Sequence, residues 1–279
     1  MNTKTTPRPT PFIRNHVLRT TQSRLIPFFH LPKLSFFFLF LSCLSNGQAL
    51  AVEGSQAVYV LVDFTASTTL VAPGGPNNYE ELLNSEIDRL KPGDTILIGE
   101  ITDNSEGRFS EIADARIPTE NIFTDTTRKF NSRVKQEKDD LRTKVKIAFQ
   151  KRRQGIGVAQ STDLFGSLVL AGTYLSAKDQ ANKNRELLVL SDMCEESDLY
   201  NFKRKALTDR YIQEILQSES HSGLASLNGV EVFISGISAE CRTSQERLTK
   251  FWIEYFSKCG ARVEPSHVVP LLRKEDLPS

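Results

Sequence analysis

Residues 56–63 read Q-A-V-Y-V-L-V-D, with Ala57, Tyr59 and Leu61 on one side of an extended chain and Val58, Val60 and Val62 on the other. Both sides are apolar, so both must be covered. That is the environment of a central strand in a parallel sheet, with helices packed above and below. The run stops at Asp63, and hydroxyl side chains follow at alternate positions, Thr65 and Ser67. A buried strand ending in Asp-x-Thr-x-Ser delivers three hard oxygen donors to one point, the donor type that suits a divalent cation.

Strand and helix signals alternate through the rest of the chain. Tyr79 to Leu90 carries Leu82, Leu83, Ile87 and Leu90 at helical spacing and is stopped by Lys91-Pro92-Gly93-Asp94. Thr95 to Ile101 is a second apolar strand, and a short edge strand is expected around Ala115 to Pro118, where proline suits an edge better than a centre. A long charged helix follows over Asn131 to Arg153, with Val134, Leu141, Val145 and Ala148 as its buried stripe. Thr162-Asp163 opens an apolar helix that runs through Ala177, and Arg185 to Ser191 is a strand that leads into Asp192. A helix over Arg204 to Ser218, a strand over Val230 to Ile237 and a helix over Ser244 to Cys259, closed by Gly260, complete the alternation. The tail has room for one more edge strand, in Ala261 to Val263 or Val268 to Leu272. Such a pattern implies an α/β fold, a doubly wound, mostly parallel sheet flanked by helices. Ligands of such sheets sit beyond the C-terminal ends of the strands, where the strand order reverses.

The first 51 residues differ from the remainder. They hold six basic side chains (Lys4, Arg8, Arg14, Arg19, Arg24 and Lys33) and no acid. The apolar run Leu34 to Leu44 and the small residues of Ala49-Leu50-Ala51 complete the layout of a secretory leader over 1–51. The alternatives are an uncut N-terminal membrane anchor and a lipidated Cys43. The expectation is therefore an exported chain, periplasmic or secreted, with one domain over 52–279, its core about 56–260, and a short C-terminal tail. A cut after Ala51 removes six of the 35 basic residues and none of the 34 acidic ones, leaving about −5. That charge excludes a nucleic-acid face, which needs a basic surface. No second apolar run of spanning length follows the leader.

Three features converge on one sheet edge: Asp63, Thr65 and Ser67 after the first strand, Thr162 with Asp163 at a helix start, and Asp192 after the Leu187–Leu190 run. Two carboxylates and three hydroxyls make an all-oxygen shell for a hard cation, Mg²⁺ above all, with Mn²⁺ and Ca²⁺ as alternatives. Hydroxyls donate little charge, so the ion stays electrophilic towards an outside carboxylate. Asp163 belongs either behind the ligands or at the helix N-terminus, where the dipole favours its charge. Only His221 and His267 follow the leader, so a His-rich zinc site is not expected. No G-x-G-x-x-G follows a strand, no G-x-S-x-G elbow occurs and no nucleophile–base pair can be nominated, so the chain reads as a non-enzyme.

These residues resemble the metal-ion-dependent adhesion site of the von Willebrand factor type A domain. That family has Asp-x-Ser-x-Ser after its first strand, a later loop threonine and an aspartate after its fourth strand. The matching positions are Asp63, Thr65 and Ser67, then Thr162, then Asp192, with Thr65 in place of the usual serine. The resemblance covers about residues 56–260. It implies metal-dependent protein–protein binding, in which a partner's acidic side chain completes the metal shell. The alternative is a Mg²⁺-dependent, phosphatase-like hydrolase on a related sheet, although Thr65 stands where that chemistry needs a second acid. Cysteine geometry adds one expectation. Cys241 and Cys259 bracket a helix about 24 Å long, beyond disulfide reach. Cys194 and Cys241 both follow the C-terminal ends of strands expected to be neighbours, so a Cys194–Cys241 bridge is expected, with Cys259 buried or free.

Overall fold

The computed structural model describes residues 54–65, 76–121, 125–238, 241–272 and 276. The leader, with Cys43, and Ser67 lie outside the described residues. In chain order the elements are β1 (Gln56–Asp63), α1 (Pro76–Arg89), β2 (Thr95–Ile101), β3 (Ser110–Arg116), α2 (Thr127–Arg153), α3 (Leu164–Leu175), β4 (Asn184–Leu190), α4 (Asp209–Ser222), β5 (Glu231–Ser235), α5 (Gln245–Lys258), a 3-10 turn (Pro265–His267) and β6 (Val268–Val269).

One six-stranded sheet has the order β3-β2-β1-β4-β5-β6. Every pairing is parallel except β2 with β3. This is a doubly wound order with an antiparallel edge strand. The direction of winding reverses between β1 and β4, so the crevice for a ligand opens beyond Asp63 and Leu190. Two apolar layers cover the sheet. Val58, Val60 and Val62 pack with α1 and α2 through Leu83, Ile87, Leu141, Val145 and Phe149. Ala57, Tyr59 and Leu61 pack with α3, α4 and α5 through Leu168, Ile215 and Trp252. The two-sided apolar pattern of β1 thus has its physical cause: each face of the strand is roofed.

Helix ends follow local chemistry. Asp163, Thr208 and Ser244 are N-caps that accept the N–H of Gly166, Tyr211 and Arg247. At the end of α5 the N–H of Gly260 donates to Ser257 O and that of Ala261 to Phe256 O, a Schellman closure with Gly260 left-handed at φ 78°. Several expected boundaries move, three of them with a clear local cause. The edge strand is Ser110–Arg116, longer and earlier than Ala115 to Pro118, because the antiparallel ladder to β2 holds it. The helix expected from Arg204 starts at Asp209, where Thr208 caps it. The long helix begins at Thr127 rather than Asn131, behind the cap of Thr126. Among the described residues no helix is long and apolar enough to cross a membrane.

Candidate metal site

Asp63 is the last residue of β1, and the register pairs Val62 with Leu190, so Ser191 falls beside Asp63 and Asp192 one step beyond. Both carboxylates are buried, at 1% exposure each. Thr65 and Thr162 are buried as well, and the Thr162 hydroxyl donates to the Thr65 hydroxyl at 3.3 Å. The loop ahead of α3 therefore meets the end of β1, and four of the five expected ligands, Asp63, Thr65, Thr162 and Asp192, converge at the switch point. The fifth, Ser67, lies outside the described residues.

The carboxylates are held by short local bonds. Asp63 Oδ1 accepts the N–H of Thr65 at 2.9 Å and Asp63 Oδ2 the hydroxyl of Ser191 at 2.7 Å. Asp192 Oδ1 accepts the N–H of Cys194 at 2.8 Å. Burial, and next the negative charge of Asp192, push Asp63 up to about 7, against the opposing pull of the Thr65 and Ser191 hydrogen bonds. The phenol of Tyr79 is also raised, first by burial and then by the charges of Asp63 and Asp192. Its hydroxyl donates to Ser235 O at 3.3 Å.

The turn that carries Asp192 is unusual. Met193 has φ 62°, the sole non-glycine in the left-handed region among the described residues. A residue held there costs about 1–3 kcal/mol and persists where its surroundings over-determine it. Ser191 Oγ accepts the Met193 N–H at 3.0 Å, and Trp252 Nε1–H donates to Met193 O at 3.0 Å. The next residue, Cys194, is disulfide-bonded to Cys241 with Cα atoms 5.6 Å apart, while Cys259 is free and buried, as expected.

Asp163 is not aimed at the pair. Its carboxylate accepts the N–H of Gly166 and that of Ser105, at 2.9 and 2.8 Å, which caps α3 and ties it to the turn after β2. Glu195 is fully buried and accepts the Leu164 N–H at 2.7 Å. Burial pushes it up to about 8. With the Glu196 N–H donating to Thr162 O at 2.8 Å, it stitches the Asp192 loop to the Thr162 loop. Ser191, Tyr79, Glu195 and Trp252 were all missed in the sequence. Only Ser191 had a local signal, its place directly before Asp192.

Among the described residues no three His, Cys, Asp or Glu side chains are grouped to hold a metal ion. The donors here are two carboxylates and hydroxyls. That set fits a hard cation, because two carboxylates brought together in a dry site repel unless one is protonated or a cation lies between them.

No family model matches the chain, and no curated protein matches it. Similar solved structures include the manganese-loaded TRAP protein of Plasmodium vivax, at 13% identity and TM-score 0.40, covering 71% of this chain and 62% of that one. A von Willebrand factor type A structure from Catenulispora acidiphila has 14% identity and TM-score 0.41, covering 76% of this chain and 40% of that one. BatB from Bacteroides thetaiotaomicron has 13% identity and TM-score 0.37, covering 76% and 90%. The chain thus spans less than two thirds of the length of the first two. At these scores the likenesses carry no weight for function, and the α/β doubly wound fold of this chain stands on its own sheet order.

Proposed function

We propose that the chain binds a divalent cation, Mg²⁺ or in its place Mn²⁺ or Ca²⁺, through Asp63, Thr65, Ser67, Thr162 and Asp192, and uses it to capture a protein partner. The supporting observation is the buried Asp63–Asp192 pair at the switch point, in which Asp63 is pushed towards protonation by burial and by its neighbour. A cation relieves both penalties at once. Because two carboxylates and weakly donating hydroxyls leave the ion electron-poor, it retains exchangeable positions that an acidic side chain of the partner fills. The Cys194–Cys241 disulfide supports an oxidising, exported location.

Calorimetric titration with Mn²⁺ tests the cation. One site is expected in the wild type and none in Asp63→Asn or Asp192→Asn, with all three folded. Water-proton relaxation on the bound Mn²⁺ tests the open position: enhancement is expected, and its absence would mean a closed site that no partner carboxylate can enter.

A further inference from the structure

The Asp192 turn is anchored from outside the sheet edge. Trp252 is the chain's one tryptophan, fully buried in α5. Its indole contacts five aromatic rings: Phe251 at 5.0 Å, Phe165 at 5.3 Å, Tyr255 at 5.6 Å, Phe256 at 6.0 Å and Phe202 at 6.2 Å. A ring so enclosed has one orientation, and its N–H is a fixed donor. That donor grips the carbonyl of Met193. The N–H of the same residue is gripped by Ser191 Oγ, which itself donates to Asp63. One residue on, the Cys194 N–H holds Asp192 Oδ1. A single left-handed residue thus sits in a chain of bonds that runs from α5 to both carboxylates.

We infer that Trp252 is a positioning residue for the cation site: its indole N–H holds Met193 in the left-handed turn that presents Asp192 beside Asp63. This rests on the cation reading above. Groups that orient metal ligands from behind typically change metal affinity by about 10–100-fold when lost. The packing around the indole stabilises the domain whether or not a cation binds, so packing and positioning are separable.

The test is the Kd for Mn²⁺, measured beside the urea midpoint, in the full chain. Trp252→Phe removes the N–H and keeps an aromatic ring. Benzothienylalanine at position 252 removes the N–H and keeps the bicyclic shape, which covers the case in which phenylalanine does not fold. Phe251→Leu loosens the same aromatic cluster without touching the turn. The expected result is a Kd weakened about 10-fold or more by both changes at 252, and a Phe251→Leu variant that loses stability with its Kd unchanged. Wild-type Kd in the benzothienylalanine protein, or equal weakening in Phe251→Leu, overturns the inference. Mn²⁺ binding that is lost in Asp192→Asn but retained on loss of the indole N–H overturns this inference alone. No Mn²⁺ binding by the wild type overturns the cation reading and this inference with it.

Discussion

Removing one charge from the Asp63–Asp192 pair should make the cation-free protein more stable, not less. The folded state holds Asp63 at about 7 against an ordinary value of 3.8. Its folded value is raised, so the native state binds more protons than the unfolded chain between those two points. Stability is then full below about pH 4, falls as pH rises and levels off above pH 7. At 1.36 kcal/mol per pH unit the loss is of order 4 kcal/mol. Asp63→Asn removes it while keeping the shape. Its Oδ1 still accepts the Thr65 N–H, and the Ser191 hydroxyl can rotate to accept from the new amide. The assay is urea unfolding with a chelator present, from pH 4 to pH 8, for wild type and Asp63→Asn. The wild type should lose several kcal/mol more than the variant across that range, and the variant should be the more stable of the two at pH 8. Other raised carboxylates such as Glu186 slope the same way in both proteins, so the difference isolates Asp63. A cation at 100 times its Kd should restore about 2.7 kcal/mol to the wild type alone. Parallel pH profiles for the two proteins would refute the reasoning.

Glu195→Ala strips the acceptor from the buried Leu164 N–H and should cost about 1–3 kcal/mol in urea unfolding, whereas Glu195→Gln keeps the acceptor and should be near neutral at about pH 4, where the carboxyl is largely protonated whether folded or unfolded. Because burial raises Glu195 from an ordinary 4.5 to about 8, wild-type stability falls as pH rises between those values and levels off above about pH 8, and Glu195→Gln should lose that part of the slope. Gly236→Ala should destabilise the fold by about 2 kcal/mol or more, read as a lowered thermal midpoint. The reason is that Gly236 has φ 112° and a Cβ there would lie 2.0 Å from the Tyr79 hydroxyl and 2.7 Å from Ser191 O. Phe165→Ala empties the centre of the ring cluster on α5 and should cost about 3–5 kcal/mol by denaturant titration.

Of the strands buried on both faces, β1 and β2 were legible to the residue, because nothing but a covered central position suits such runs, and β4 and β5 to within a residue or two. The edge strand was not. Ser110–Arg116 carries Glu, Ala and Asp, types with low strand preference, and only the ladder to β2 makes it extended. Asp63, Thr65, Thr162 and Asp192 were legible because each stands at the end of an element whose direction the alternation of strands and helices implies. Ser191, Tyr79 and Trp252 were not, since their roles come from register and from contacts between distant segments. Trp252 and Met193, for example, are 59 residues apart. At the start of α3 the capping role falls to Asp163, which leaves the Thr162 hydroxyl facing Thr65.

The cation itself is the centre of the account, and a crystal structure grown with Mn²⁺ tests it most directly. The prediction is one anomalous difference peak among Asp63, Thr65, Thr162 and Asp192, absent from crystals of Asp192→Asn grown in the same solution. Well-ordered side chains at that point with no peak between them, at a Mn²⁺ concentration that saturates the solution titration, would contradict it.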